Sequence, residues 1–179
     1  MVTTRVLLVD DEESFRRVLA KRLDKRGFGV REAEDGPAAL AAVAQEPPHV
    51  VVLDVKMPGM DGLAVLERLK AEHPDVEVLL LTGHASAEDG VAGMKLGAFD
   101  YLSKPVELDQ LAGKITHARE RIELRREQAR EAAFRERMKK RLTAAQRMAS
   151  LGTLAAGVAH EINNPLAVIN EAAGWMRGL

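Results

Sequence analysis

The sequence has no cysteine, which excludes disulfides, thiolate metal sites and cysteine nucleophiles. It also lacks an excess of charge of either sign: the formal net charge is -1, so nothing draws the whole chain towards nucleic acid or a membrane surface. No apolar run approaches the roughly 18 residues of a membrane span. The opening stretch MVTTRVLLVDDEE sets acids where a signal peptide needs a long apolar segment. A cytoplasmic location with no membrane and no nucleic-acid partner is therefore expected. What is present is the balance of a soluble globular protein, 46% hydrophobic and 30% charged over 179 residues. That length suits one domain of roughly 120 residues plus an appendage.

Up to residue 105 two kinds of segment alternate. The short apolar, β-branched runs RVLLVD, GVREA, VVVLD, VEVLLLT and FDYL stand between turn or acidic residues, as buried parallel strands do. Between them the spacing is helical: Phe15, Val18, Leu19 and Leu23 share one face, and Leu63, Val65, Leu66 and Leu69 share another. Five strands alternating with helices predict an α/β doubly wound parallel sheet, flavodoxin-like, of order 2-1-3-4-5.

After Pro105 the texture changes. From about Val106 to Gln146 there is no proline and one glycine amid dense Arg, Lys, Glu and Ala, which reads as one long C-terminal helix. Leu108, Leu111, Ile115, Ala118 and Ile122 keep the alternation of a coiled-coil seam. The seam fails at Arg125, and the charged run that follows is either a solvated helix or a dimeric connector. A second seam, Leu151, Ala155, Val158, Ile162, Pro165, Ile169, Ala172 and Met176, continues to the last residues. The two are out of phase, so a coiled coil through both must change register.

Asp10 and Asp11 close the first strand and Asp54 the third. In a doubly wound sheet the carboxyl ends of neighbouring strands face one crevice, so these carboxylates converge. Such crowding is costly without a cation, and an all-oxygen set suits a hard divalent ion such as Mg²⁺ that keeps waters for a phosphate. Thr82 ends the fourth strand and Lys104 follows the fifth, bringing a hydroxyl and an ammonium to the same rim. The set can handle a phosphoryl group: one carboxylate attacks, metal and lysine neutralise the oxygens, and the threonine senses the product.

LLVDDEE, VVLDVKMPGMDG, LLLTGHA and YLSKP together resemble the receiver domain of two-component response regulators, over residues 1 to about 120. The resemblance implies that Asp54 is the phospho-acceptor and that Asp10, Asp11 and Asp54, with the Lys56 backbone carbonyl, hold Mg²⁺ or Mn²⁺. It further implies that Thr82 is the switch hydroxyl, Lys104 the phosphate-pairing lysine, and Tyr101 an aromatic that turns inward on phosphorylation. Pro58 and Gly62 shape the turn after the acceptor and the start of the next helix.

Of the histidines, His49, His73, His84 and His117 read as surface or loop residues. His160 stands about 200° round the helix from the seam residues Val158 and Ile162 and so points outward. HEINN is similar to the zinc motif H-E-x-x-H, but Asn164 stands where the second histidine would be, and amides are poor zinc ligands. His160 is otherwise a plain surface histidine, or a phospho-acceptor. In the last case Glu161 deprotonates one ring nitrogen while the other attacks phosphorus, and Asn164 faces the same side one turn on.

MASLGTLAAGVAHEINNPLAVI resembles the H-box helix of the histidine kinase dimerisation and phosphotransfer domain. That implies His160 as autophosphorylation site, Glu161 as general base and Asn164 as a helper in phosphate removal. The second helix and the ATP-binding domain of that family do not lie before Leu179, so ATP belongs only to a kinase part outside these residues. The chain itself is left with receiver self-phosphorylation and dephosphorylation. The expected layout is a receiver over 1–120, a helical or coiled-coil connector over 106–147 and an incomplete phosphotransfer helix over 148–179.

The expected protein is thus a homodimeric, receiver-first histidine kinase in which Asp54 modulates His160, with a cognate histidine kinase or phosphotransfer protein as partner. The alternative is a stand-alone response regulator whose C-terminal helix is a dimerisation or docking arm. A transcription factor is less well supported, since no recognition helix follows the receiver.

Overall fold

The computed structural model describes residues 3–83 and 87–175, with side chains over 3–83 and 88–149. In chain order the elements are β1 (Arg5–Val9), α1 (Glu13–Asp24), β2 (Gly29–Ala33), α2 (Gly36–Gln45), β3 (Val50–Asp54), α3 (Gly62–Glu72), β4 (Glu77–Thr82), α4 (Ala87–Lys95), β5 (Asp100–Ser103) and α5 (Leu108–Trp175). The strands are all parallel, in the order β2-β1-β3-β4-β5. This is the flavodoxin-like doubly wound arrangement, joined to a long C-terminal helix.

The alternation of side chains along each strand builds two cores. Leu7, Val9, Val51 and Leu53 face α2 and α3, meeting Val43, Val65, Leu66 and Leu69. Val6, Leu8, Val50 and Val52 face α1 and α5, meeting Leu19, Leu23, Leu111 and Ile115. Every residue of β3 and β4 is buried, as strands covered on both faces must be. Local chemistry sets the helix starts: Asp35 accepts from Ala38 N–H at 2.7 Å and Asp61 from Ala64 N–H at 2.8 Å, each satisfying a first-turn donor.

Three expectations need correction. The seam Leu111, Ile115, Ala118 and Ile122 is 0–2% exposed because it packs on the five-stranded sheet, with Leu108 partly buried beside it. The spacing that would join two helices serves equally to lay one helix on a sheet. Arg125, where the seam fails, instead donates to Glu77 Oε1 at 2.6 Å. On α1, Val18 is exposed, and Arg16 takes an inward position with Leu19, Ala20 and Leu23.

The third correction is His49, which lies in the loop between α2 and β3 but is buried there. It is 5% exposed, its Nδ1 accepts from Arg5 N–H at 2.9 Å, and it lines a cavity of about 430 Å³ at the amino edge of the sheet. Burial, then the charges of Arg119, Arg5 and Arg126, lowers its pKa to about 4.

The chain divides into two compact units, Met1–Arg126 and Glu127–Leu179. In the second, the side chains of residues 127–149 are exposed. Among the described residues no helix is long and apolar enough to cross a membrane.

Candidate functional site

Strand register brings the acids together. β1 and β3 are neighbours with Val9 paired to Leu53, so Asp10 and Asp54 follow side by side. Asp54 is 5% exposed and Asp10 fully buried, while Asp11 is exposed. One carboxylate oxygen from each of Asp10, Asp11 and Asp54 lies within 4.8 Å of the others. An all-oxygen set of that span, with one member open to solvent, fits a hard divalent cation that keeps part of its water shell.

Lys104 reaches the same point from the end of β5. Its Nζ is 2.6 Å from Asp10 Oδ2 and 3.1 Å from Asp54 Oδ2, and the Phe15 ring lies beneath it at 4.7 Å. Lys104 N–H donates to Thr82 O at 2.7 Å, which ties the lysine to the end of β4, and the Lys104–Pro105 peptide is cis. Burial disfavours the ammonium, but hydrogen bonding to Asp10 and the charges of Asp54 and Asp10 outweigh it, and the pKa of Lys104 is raised. For Asp54 burial wins: its pKa is raised although Lys104 and a backbone hydrogen bond from Lys56 pull the other way. A buried carboxylate that resists ionisation even beside an ammonium is a group a divalent cation would stabilise.

The remaining rim residues take distinct positions. Thr82 is 2% exposed, and its hydroxyl donates to Leu102 O at 3.5 Å. Tyr101 is 39% exposed, with its ring over Gly90 of α4. The Lys56 side chain pairs with Asp89 Oδ2 at 3.0 Å, leaving its backbone to the loop. Gly59 holds a left-handed turn there at φ 78°, and Gly62 N–H donates to Val55 O at 2.9 Å. His160, Glu161 and Asn164 fall on α5, but their side chains lie outside the described residues, as does His84.

Sequence reasoning passed over two residues that touch this site. Phe15 reads as a core position on an amphipathic helix, though its ring faces Lys104. Arg16 belongs to no motif in the sequence, yet its Nη1 donates to the Asp10 carbonyl at 2.6 Å. A charged residue on the apolar phase of α1 is the one signal that could have marked it.

The family model described as response regulator receiver domain matches residues 6–116. The nitrogen assimilation regulatory protein NtrX of Azorhizobium caulinodans is 39% identical over 124 residues, 68% of this chain and 27% of that protein. The DNA-binding transcriptional regulator NtrC of Salmonella typhimurium is 40% identical over 113 residues, covering 63% and 24%. The chain thus spans about a quarter of the length of these curated relatives. Among solved structures, the receiver domain of NtrX from Brucella abortus superposes with a TM-score of 0.62 at 37% identity, covering 64% of this chain and 98% of that one. A receiver domain protein from Clostridium thermocellum gives 0.66 at 32% identity, covering 68% and 98%.

Proposed function

Because the chain belongs to the response regulator receiver domain family, we propose that Asp54 accepts a phosphoryl group from a cognate histidine kinase or phosphotransfer protein. The observation that carries this reading is Lys104 Nζ held between Asp54 and Asp10, 3.1 Å and 2.6 Å away, at the mouth of the three-carboxylate cluster. An Asp54 oxygen forms the new O–P bond as the P–N bond to the donor imidazole breaks, and the imidazole takes up a proton. Asp10, Asp11, Asp54 and the Lys56 carbonyl would hold Mg²⁺ or Mn²⁺, which would supply positive charge to the phosphoryl oxygens. Lys104 pairs with a phosphoryl oxygen once Asp54 is modified, Thr82 rotates from Leu102 to meet another, and Tyr101 follows inward.

Acetyl phosphate with Mg²⁺ tests this directly. The wild-type protein gains one hydroxylamine-sensitive phosphoryl group at Asp54, and Asp54→Asn gains none. Retention of that label in Asp54→Asn refutes the acceptor assignment.

For output, the kinship with response regulators favours a receiver, residues 1–120, that signals through the helical connector of residues 106–147. The helix then serves as a homodimerisation or partner-docking arm. With the first seam taken up by the sheet, dimer contacts fall beyond Arg126, and a monomeric mass at tens of micromolar refutes them. NtrC of Salmonella typhimurium carries DNA-binding in its name.

The sequence of residues 148–179 favours a second reading, in which Asp54 modulates a histidine kinase through His160. Glu161 then acts as base and Asn164 as a helper in phosphate removal, with ATP bound by a separate kinase part. Phosphohistidine at position 160, recovered under alkaline conditions from cells, supports this reading. Its absence while Asp54 is labelled opposes it.

A further inference from the structure

Arg16 is 8% exposed, an uncommon place for a guanidinium. Its Nη1 donates to the Asp10 backbone carbonyl at 2.6 Å and its Nε to Glu32 Oε2 at 3.2 Å. Both ladders of β1 end at Val9, paired with Ala33 on one side and Leu53 on the other. Asp10 N–H still reaches Ala33 O at 3.3 Å, but its carbonyl has left the sheet in a residue with no exposed surface. A buried carbonyl needs a donor, and Arg16 supplies it.

The peptide held in this way joins Asp10 to Asp11, and its rotation aims both carboxylates. On the other side of Asp10, Oδ1 accepts from Glu12 N–H at 2.9 Å and Oδ2 from Lys104. The backbone and both oxygens of Asp10 are therefore held independently. Glu32, with its side chain 37% exposed, orients the guanidinium from β2.

We propose that Arg16, oriented by Glu32, is a positioning residue that fixes the Asp10–Asp11 peptide for divalent-cation binding and hence for phosphoryl uptake at Asp54. This rests on the receiver reading of the same site. The guanidinium fork serves a carbonyl and a carboxylate at once, whereas a lysine has a single nitrogen and cannot reproduce that geometry. Losing a partner that orients a metal ligand costs about 10–100-fold in metal affinity.

The test is Mg²⁺ titration by calorimetry of the full chain, alongside acetyl phosphate labelling at limiting and saturating Mg²⁺. Arg16→Lys and Arg16→Ala raise the Mg²⁺ Kd at least about ten-fold, and Glu32→Gln, which keeps a neutral acceptor, raises it about three-fold. Labelling is slowed at limiting Mg²⁺ and returns to about the wild-type rate at saturation, a split that mere destabilisation does not produce. Glu77→Gln, altered at the opposite ends of the strands, gives the comparison: it lowers Tm and leaves the Mg²⁺ Kd unchanged.

If Arg16→Ala fails to fold, Arg16→Lys and the half-exposed Glu32→Gln decide the matter. Kd values for both within about two-fold of wild type overturn the positioning role. A wild-type protein that neither binds Mg²⁺ nor takes label at Asp54 overturns the receiver reading instead.

Discussion

Replacing Gly62 by alanine strikes the junction between the acceptor strand and α3. A Cβ at this position would stand 2.8 Å from Val55 Cα and 3.0 Å from the Asp54 carbonyl carbon, with the Asp54 carbonyl oxygen nearer still. Carbon atoms in good contact sit about 3.5–4.0 Å apart, so β3 and α3 must separate by about 0.7 Å or more. The obstructing atoms are backbone, so no side chain can swing aside. Overpacking costs about 1–3 kcal/mol, and with backbone in the way the upper end applies, lowering Tm by about 10 °C in a domain of this size.

The displacement falls on the peptide carrying Asp54, and a misplacement of about 1 Å can cost about 100-fold in rate. Labelling by acetyl phosphate therefore slows at least about ten-fold in Gly62→Ala. Gly59→Ala is the comparison: no atom lies within 4 Å of its Cβ position, and φ is 78°. It loses only the backbone preference, about 1–2 kcal/mol, with the labelling rate unchanged. Thermal melts by circular dichroism and hydroxylamine-sensitive labelling read both outcomes. A Gly62→Ala protein melting within about 2 °C of wild type and labelling at the same rate refutes the reasoning.

Three further outcomes follow from the buried charges. Asp54 has its pKa raised mainly by burial, so its ionised form opposes folding above the folded pKa, and this opposition fades as pH falls towards the unfolded value. Asp54→Asn thus raises Tm in EDTA at pH 7, and a lower Tm contradicts the sign. His49, lowered from 6.5 to about 4, is neutral in the fold, so stability it confers at pH 7 and above is lost as pH falls from 6.5 towards 4. Discounted for water in the cavity it lines, the gap between wild type and His49→Asn narrows by about 1–2 kcal/mol from pH 8 to pH 5 in urea titrations, and a constant gap refutes it. Glu77→Gln removes the counter-charge of Arg125 and Lys70, 2.6 Å and 3.3 Å away. With Arg125 partly solvated the loss is about 2 kcal/mol; urea melts showing no change contradict it.

The sheet was legible because β-branched runs ending in acids have few other uses, and strand order then placed Asp10, Asp11 and Asp54 together. Lys104 and Thr82 were legible for the same reason, as residues at strand ends. The helix faces were less so. The spacing of Leu111, Ile115, Ala118 and Ile122 carries no mark of whether a sheet or a second helix covers it. His49 looked exposed because two prolines precede it, whereas its burial comes from Arg5 and α5, remote in sequence. Arg16 stayed hidden because a guanidinium is inward only where a carbonyl and a carboxylate wait for it, and both belong to other elements.

The complete burial of β3 and β4 has a consequence before the fold exists. Val50–Leu53 and Val78–Leu81 are short, apolar and free of proline, the type of segment that stacks with its like in other chains. Parallel strands also wait for distant partners, which prolongs their exposure during folding. Pro47 and Pro48 precede the first segment and Asp54 follows it, while Glu77 stands before the second, each a residue that discourages intermolecular pairing. The carboxylate proposed to take up phosphate in the finished domain thus has an earlier task, keeping a nascent central strand from joining its counterpart in a neighbouring molecule.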